Sequence, residues 1–170
     1  MADYTQIISG ILEESIRVTR AAIVHNMERS RKGAETLAAG VSAGHKILIF
    51  GNGGSAADSQ HIAAEFVNRF RIERPPLAAL ALTTDSSILT SIGNDYSFGE
   101  VFSKQIRAIG QTGDVAWGIS TSGTSPNVVK ALDTAKKMGL VTVGFTGKDG
   151  GDVARIADFT LNVSSNSTPR

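Results

Sequence analysis

The chain has 170 residues, a length that suits one domain of the usual ~100–200 residues. It holds no cysteine, which excludes disulfide scaffolds, thiolate metal sites and cysteine nucleophiles and fits an intracellular address. Lys and Arg number 17 against 16 Asp and Glu, a net charge of +1, so bulk charge makes no case for nucleic acid or anionic lipid. The longest apolar run, Leu77 to Leu82, falls far short of the ~20 residues of a membrane span. The amino terminus, MADYTQII, lacks the basic-then-apolar layout of a signal peptide, so the expected location is cytoplasmic. Glycine is the compositional outlier, with 18 residues where an average content of ~7% gives about 12.

Apolar residues at Ile8, Ile11, Leu12, Ile16, Ala22 and Ile23 recur at helical spacing and predict a first helix from Tyr4 to about Asn26. A second is predicted from about Glu28 to Ser42, with Leu37, Ala38 and Val41 on one face and Gly44 after its end. Residues 1–45 thus form a helical segment. Ile7 and Ile8 with Ile11 and Leu12 make its first helix apolar on more than one stripe. That helix packs either on its own domain alone or against another subunit as well.

From Lys46 onward, strands alternate with helices. Ile47 to Phe50 reads as a strand covered on both faces. It runs into Gly51-Asn52-Gly53-Gly54-Ser55 and then a helix to about Arg69. Leu77 to Leu82 is the second strand, after Arg74-Pro75-Pro76, and a short helix follows that ends near Gly93. Asn94-Asp95 reads as a turn, Phe98 to Ile109 as a helix and Val115 to Ile119 as the third strand. A helix beginning at Pro126 runs to Met138, Val141 to Phe145 is the fourth strand, Lys148 to Gly151 a loop and Phe159 to Val163 the fifth strand. Strands joined by single helices make right-handed crossovers. The prediction is therefore one α/β domain over 1–170, a three-layer αβα sandwich with a five-stranded, mostly parallel sheet.

Ligands of such sheets sit beyond the carboxyl ends of the strands. The loop at Gly51 to Ser55 lets the backbone approach a ligand, and the helix behind it offers free N–H groups to an anion. Gly51-Asn52-Gly53-Gly54-Ser55-Ala56 also fits the dinucleotide pattern G-x-G-x-x-G/A. That pattern wants an acidic residue about 20 positions on, at the end of strand two. Glu73 precedes that strand and Asp85 comes too late. After strand three, Ser120, Thr121, Ser122, Thr124 and Ser125 crowd hydroxyls around Gly123 just before a helix start. That set suits a phosphate monoester without a lysine, whereas Ser125 alone is an ordinary helix cap. His61 and Glu65 lie four apart and share a helix face. They suit a general acid and base, a pair of metal ligands, or a plain surface ion pair. His25 and His45 are expected to face solvent.

Taken in order, these pieces resemble a sugar isomerase (SIS) domain, and more narrowly the phosphoheptose isomerases. The stretches that carry the resemblance are GNGGSAADSQHIAAEFVNRF (51–70), ERPPLAALALTTD (73–85), IGNDYSFGEVFSKQI (92–106), GDVAWGISTSGTSPNVVKAL (113–132) and GFTGKDGG (144–151). The resemblance implies a flavodoxin-like SIS fold and an isomerase that converts sedoheptulose 7-phosphate to D-glycero-D-manno-heptose 7-phosphate through an enediol(ate). It implies that Ser120, Thr121, Ser122 and Ser125 hold the phosphate. Asn52, Gly53, Gly54 and Ser55 would line the sugar, with Asn94 and Asp95 nearby. Glu65 would be the acid/base, and His61 and Glu65 would be ligands of one zinc per subunit. Thr124 stands where the family has asparagine. The resemblance also implies a homotetramer built on residues 1–45, with sites shared between subunits, and a role in heptose supply for bacterial surface polysaccharides. Family members continue past the TPR that closes this chain into a helix carrying a glutamine and a histidine. The remaining zinc ligands and the partner acid/base are accordingly expected beyond Arg170. A non-catalytic SIS-domain regulator, like the one that binds the bacterial replication initiator, is the alternative. The carboxylate at Glu65 argues against it.

Overall fold

A wholly apolar strand needs cover on both sides, and the structure supplies it. The computed structural model describes residues 3–168. Met1–Ala2 and Pro169–Arg170 lie outside the described residues, and with them the expectations attached to the two chain ends. Strands β1 (Ile47–Gly51), β2 (Ala79–Ala81), β3 (Val115–Ser120), β4 (Val141–Gly147) and β5 (Phe159–Val163) lie in the order β2-β1-β3-β4-β5. Every neighbouring pair is parallel, so the expected mostly parallel sheet is wholly so. The order reverses between β1 and β3, which makes the crevice at their carboxyl ends the topological switch point.

The helices are α1 (Tyr4–Ser42), α2 (Gly54–Val67), α3 (Ser86–Asp95), α4 (Ser103–Ile109), α5 (Pro126–Lys137) and α6 (Gly151–Ile156). Successive strand residues point to opposite faces. Ile47 and Ile49 join Val115, Trp117 and Val143 beneath α2 and the end of α1, where Leu37 and Val41 pack. Leu48 and Phe50 join Val101, Phe102, Ile106, Val128, Leu132 and Val153 on the other face, under α4 to α6. Burying a side chain of this size stabilises by about 1.5–3 kcal/mol. Two such faces hold the sheet rigid and present its carboxyl-end loops from a fixed frame.

Several boundaries differ from expectation. The two N-terminal helices are one, 39 residues long. Asn26, where a break was expected, is buried instead. Its Nδ2 donates to the carbonyls of Ala22 and Asn162, both at 2.8 Å, and its Oδ1 accepts from Asn162 N at 3.2 Å. A residue type that often ends helices here ties α1 to the outer margin of β5, while Glu28, Arg31 and Glu35 form i,i+3 and i,i+4 ion pairs that carry the helix past it. The second strand, Ala79–Ala81, is shorter than Leu77–Leu82; at its start Leu77 N donates to Phe66 O on α2 and not to β1. The helix predicted over Phe98–Ile109 opens with a 3₁₀ turn at Phe98–Glu100. Asn94 and Asp95 are the last residues of α3, not a turn after it. Helix α6 starts within the predicted loop at Gly151, after Gly150 adopts a left-handed conformation. His25 is exposed as expected, but His45 is half-buried, its ring 3.8 Å from the Asp114 carboxylate.

Candidate active site

The loop after β3 forms a cradle of hydroxyls. Ser120 is buried and its Oγ lies 2.9 Å from Ser125 Oγ and 3.5 Å from Ser122 Oγ. Ser125 occupies the N-cap position of α5 but its side chain makes no cap hydrogen bond. The capping alternative for Ser125 is thus set aside by geometry: its hydroxyl belongs to the cradle and caps no N–H group of α5. Helix α2, which starts after Gly53, likewise has no side-chain cap, in contrast to α1 and α3, capped by Asp3 and Asp85. Two uncapped helix starts meeting at one crevice concentrate positive potential there.

Glycine permits the close approach that builds this crevice. A Cβ on Gly51 would lie 2.8 Å from Ile119 O. Gly123 has a φ of +69°, and a Cβ there would drive into the Gly150 carbonyl. Val153 N donates to Gly123 O at 2.9 Å and Gly147 N to Thr121 O at 3.0 Å, so the turn between β4 and α6 fixes the hydroxyl loop. The resulting cavity, about 260 Å³, is lined by Asn52, Ser55, Ser120, Thr121, Ser122 and Ser125, with Ile119, Lys148 and Thr168. Six of the residues singled out in the sequence therefore converge. Gly53 and Gly54 stand exposed at the start of α2, beside Asn52 and Ser55. Thr124 does not line the cavity; its N–H and hydroxyl donate to Ser122 Oγ at 3.2 and 3.1 Å.

Asn127 carries no signal in the sequence that would select it. It is 2% exposed, and its amide pairs reciprocally with that of Asn52. Asn52 Nδ2 donates to Asn127 Oδ1 at 2.9 Å, and Asn127 Nδ2 donates back to Asn52 Oδ1 at 2.8 Å. The pair joins the glycine loop to the helix that follows the serine loop.

His61 and Glu65 lie together elsewhere on α2. His61 Nε2 is 3.2 Å from Glu65 Oε1, with the histidine side chain 76% exposed and the glutamate 35%. They open onto a second, apolar cavity of about 390 Å³, shared with Ile62, Phe66, Phe70 and Arg74. Arg74, which the sequence offered only as punctuation, grips the end of α2. Its guanidinium donates to Glu65 O at 2.7 Å and to Phe66 O at 2.8 Å, satisfying carbonyls of the last turn. Ser55 and Glu65 are ten residues apart on α2, so about 15 Å separates them along the axis. The hydroxyl cradle and the Glu65 carboxylate thus open into separate cavities of the chain. Asn94 and Asp95 line neither; both are exposed, and Asn94 Nδ2 donates to Asp95 Oδ1 at 2.9 Å. Among the described residues no cluster of three His, Cys, Asp or Glu side chains exists. His61 and Glu65 are donors of the types zinc takes, but they make two of the three protein ligands a catalytic site uses. No helix of the described residues is long and apolar enough to cross a membrane.

Comparison with known proteins identifies the family. Residues 12–147 match the model of the SIS domain family. A phosphoheptose isomerase of Nitratidesulfovibrio vulgaris (strain Miyazaki F) is 54% identical over 164 residues, 96% of this chain and 79% of its own length. One from Thermodesulfovibrio yellowstonii is 51% identical over 93% of this chain and 79% of its own. Among solved structures, a phosphoheptose isomerase from Neisseria gonorrhoeae superposes with a TM-score of 0.91 at 44% identity, covering 98% of this chain and 89% of that one. One from Francisella tularensis gives 0.93 at 32% identity, over 99% and 90%. These relatives make the protein an enzyme, a sugar-phosphate isomerase. By family model, sequence and fold alike, the chain belongs to the phosphoheptose isomerases of the SIS domain family.

Proposed function

We propose that this enzyme interconverts sedoheptulose 7-phosphate and D-glycero-D-manno-heptose 7-phosphate. The observation that carries the reading is the Ser125 hydroxyl, which leaves its helix uncapped and joins Ser120 and Ser122 in a cavity that Asn52 and Ser55 also line. Hydroxyl donors and an open helix start match the oxygens and charge of a phosphate monoester. The hydroxyls bond one another at present and exchange those bonds for phosphate oxygens at little cost. Gly53 and Gly54, at the uncapped start of α2, let the backbone come close to the sugar, and Asn94 with Asp95 would approach it from another copy of the chain.

In this reading Glu65 takes the proton from the carbon beside the ketose carbonyl and returns it to the neighbouring carbon. A second proton passes from one substrate oxygen to the other, and the bond order shifts through an enediol(ate). Arg74 holds the helix end that bears Glu65, and His61 steadies the carboxylate oxygen. A zinc ion would take His61 and Glu65 as two of its ligands and, when bound, polarises the carbonyl and hydroxyl oxygens. A glutamate engaged by metal is a weaker base, so the two roles compete.

The separation of Glu65 from the cradle supports a site completed by a second copy of the chain. So does the apolar first half of α1, where Ile8, Leu12, Ile16 and Ile23 are exposed, the surface on which a homotetramer would assemble. A phosphorylated heptose, being an anion that crosses membranes poorly, supports a cytoplasmic location, where it would feed surface polysaccharide synthesis. The test is turnover of sedoheptulose 7-phosphate with and without a chelator. Glu65→Gln should lower kcat by about 10³-fold or more while leaving the melting temperature in place. Wild-type turnover in that variant would remove Glu65 from the chemistry.

A further inference from the structure

The phosphate cradle also has a cation at its rim. Of the described residues that line the cavity, Lys148 alone carries a charge. It is also the one non-glycine residue among those described with φ in the left-handed region, at +53°. A side chain is disfavoured in that conformation, and such positions persist where the surrounding structure holds them for a purpose. The hold here is visible. Lys148 N donates to Ser165 O at 3.2 Å, and Lys148 O accepts from Asn162 Nδ2 at 3.1 Å. Gly147, its neighbour, donates to Thr121 O in the hydroxyl loop at 3.0 Å. The turn that bears the lysine is therefore built onto the loop that forms the cradle.

The Lys148 ammonium has no hydrogen bond or ion pair to any described residue. Its neighbour Asp149 is engaged at the start of α6, accepting from Gly151 N at 3.2 Å, and does not neutralise it. A phosphate monoester brings up to two negative charges. The hydroxyls bring none to meet them, and the two helix starts at the crevice contribute about one between them, which leaves the second charge unmet. We propose that Lys148 supplies the missing positive charge and is a binding residue for the phosphate of the substrate. A glycine would suit the backbone at this position better, so the strain is retained for the side chain it places at the rim.

This assignment rests on the sugar-phosphate reading of the cavity, and the experiment separates the two. The full-length protein and its Lys148→Met, Lys148→Arg and Lys148→Gly variants are titrated with inorganic phosphate by calorimetry and assayed with sedoheptulose 7-phosphate. Lys148→Met should weaken phosphate binding and raise KM by about tenfold each, with kcat changed less than about twofold. Lys148→Arg should recover most of the loss. Lys148→Gly should lose affinity as Lys148→Met does, yet melt no lower than that variant, because glycine accepts a positive φ. Unchanged phosphate affinity in Lys148→Met overturns the proposal. So does an equal loss in Lys148→Arg, which would trace the effect to the turn's shape and not to charge. If phosphate binding depends on Lys148 but the wild type does not turn over the heptulose phosphate, the lysine assignment stands and the substrate assignment falls.

Discussion

At the amino ends of β3 and β5, two aspartates are each held by several donors, while after β3 the hydroxyls of one loop bond chiefly one another. Asp114, just before β3, has a side chain 2% exposed and accepts from Lys46 Nζ at 2.6 Å, Lys46 N at 3.0 Å and Gln111 N at 2.8 Å. Burial opposes its ionisation, but those donors outweigh it and hold the carboxyl below its ordinary range. Asp158, just before β5, is more open, its side chain 37% exposed, yet its partial burial is likewise outweighed by Lys136 Nζ and by the N–H and hydroxyl of Thr142, which lower its pKa. At the other end Ser120, Ser122 and Ser125 share hydroxyl bonds within one loop, and α2 and α5 begin uncapped. A carboxylate in a dry setting cannot surrender its donors without a large loss, whereas a hydroxyl pair can trade one acceptor for another. Firmly held charge is therefore concentrated at one end of the sheet and exchangeable hydroxyl bonds at the other.

That division can be broken by mutation. Asp114→Ala, which strands the Lys46 ammonium, should cost about 3–5 kcal/mol in denaturant unfolding. The kcat/KM of the folded fraction should not change; a tenfold loss would mean the amino end also shapes the site. Both aspartates have folded pKa values below their unfolded ones, so their stabilisation is complete above the unfolded value near ~3.9. It is lost as pH falls through the folded values. Melting temperatures followed downward from about pH 5 should drop steeply for the wild type and less steeply for Asp114→Ala. Ser120→Ala should do the reverse, lowering kcat/KM by about 10- to 100-fold while shifting stability by about 1 kcal/mol or less. Asn127→Ala sharpens the boundary, because Asn127 is a saturated pair member at the exchangeable end. A loss of about 1 kcal/mol with a few-fold rise in KM is expected; a stability change alone would assign the pair to the frame.

Strands that are apolar throughout and loops rich in glycine and hydroxyls announce themselves, so β1, β3, β4, β5 and the cradle were legible from residue order. The parallel sense of the sheet was legible because strands joined by single helices make right-handed crossovers, while its strand order is set by the packing of the whole chain. What escaped were features set by distant contacts. Asn26 reads locally as a helix end, and only Asn162, 136 residues away, makes it an interior helix residue. Asn127 reads as an ordinary first-turn residue until Asn52 comes to face it. Arg74 reads as a charge before two prolines, and its use on the carbonyls of α2 depends on the chain doubling back. His61 and Glu65 were correctly placed on one face. Their distance from the serine loop was not legible, because helical periodicity reports which side a residue faces and not which cavity it enters.

The clasp between Asn26 and Asn162 also closes part of an edge of the sheet. Toward β5, the Asn26 amide behaves as one peptide group of an added strand, occupying both the N–H and the C=O that Asn162 turns outward. The opposite margin, β2, is three residues long. Neither margin of the described sheet thus offers a long row of vacant backbone groups onto which a foreign strand can crystallise. Among the described residues, a single buried amide closes part of one border of the sheet and brevity limits the other.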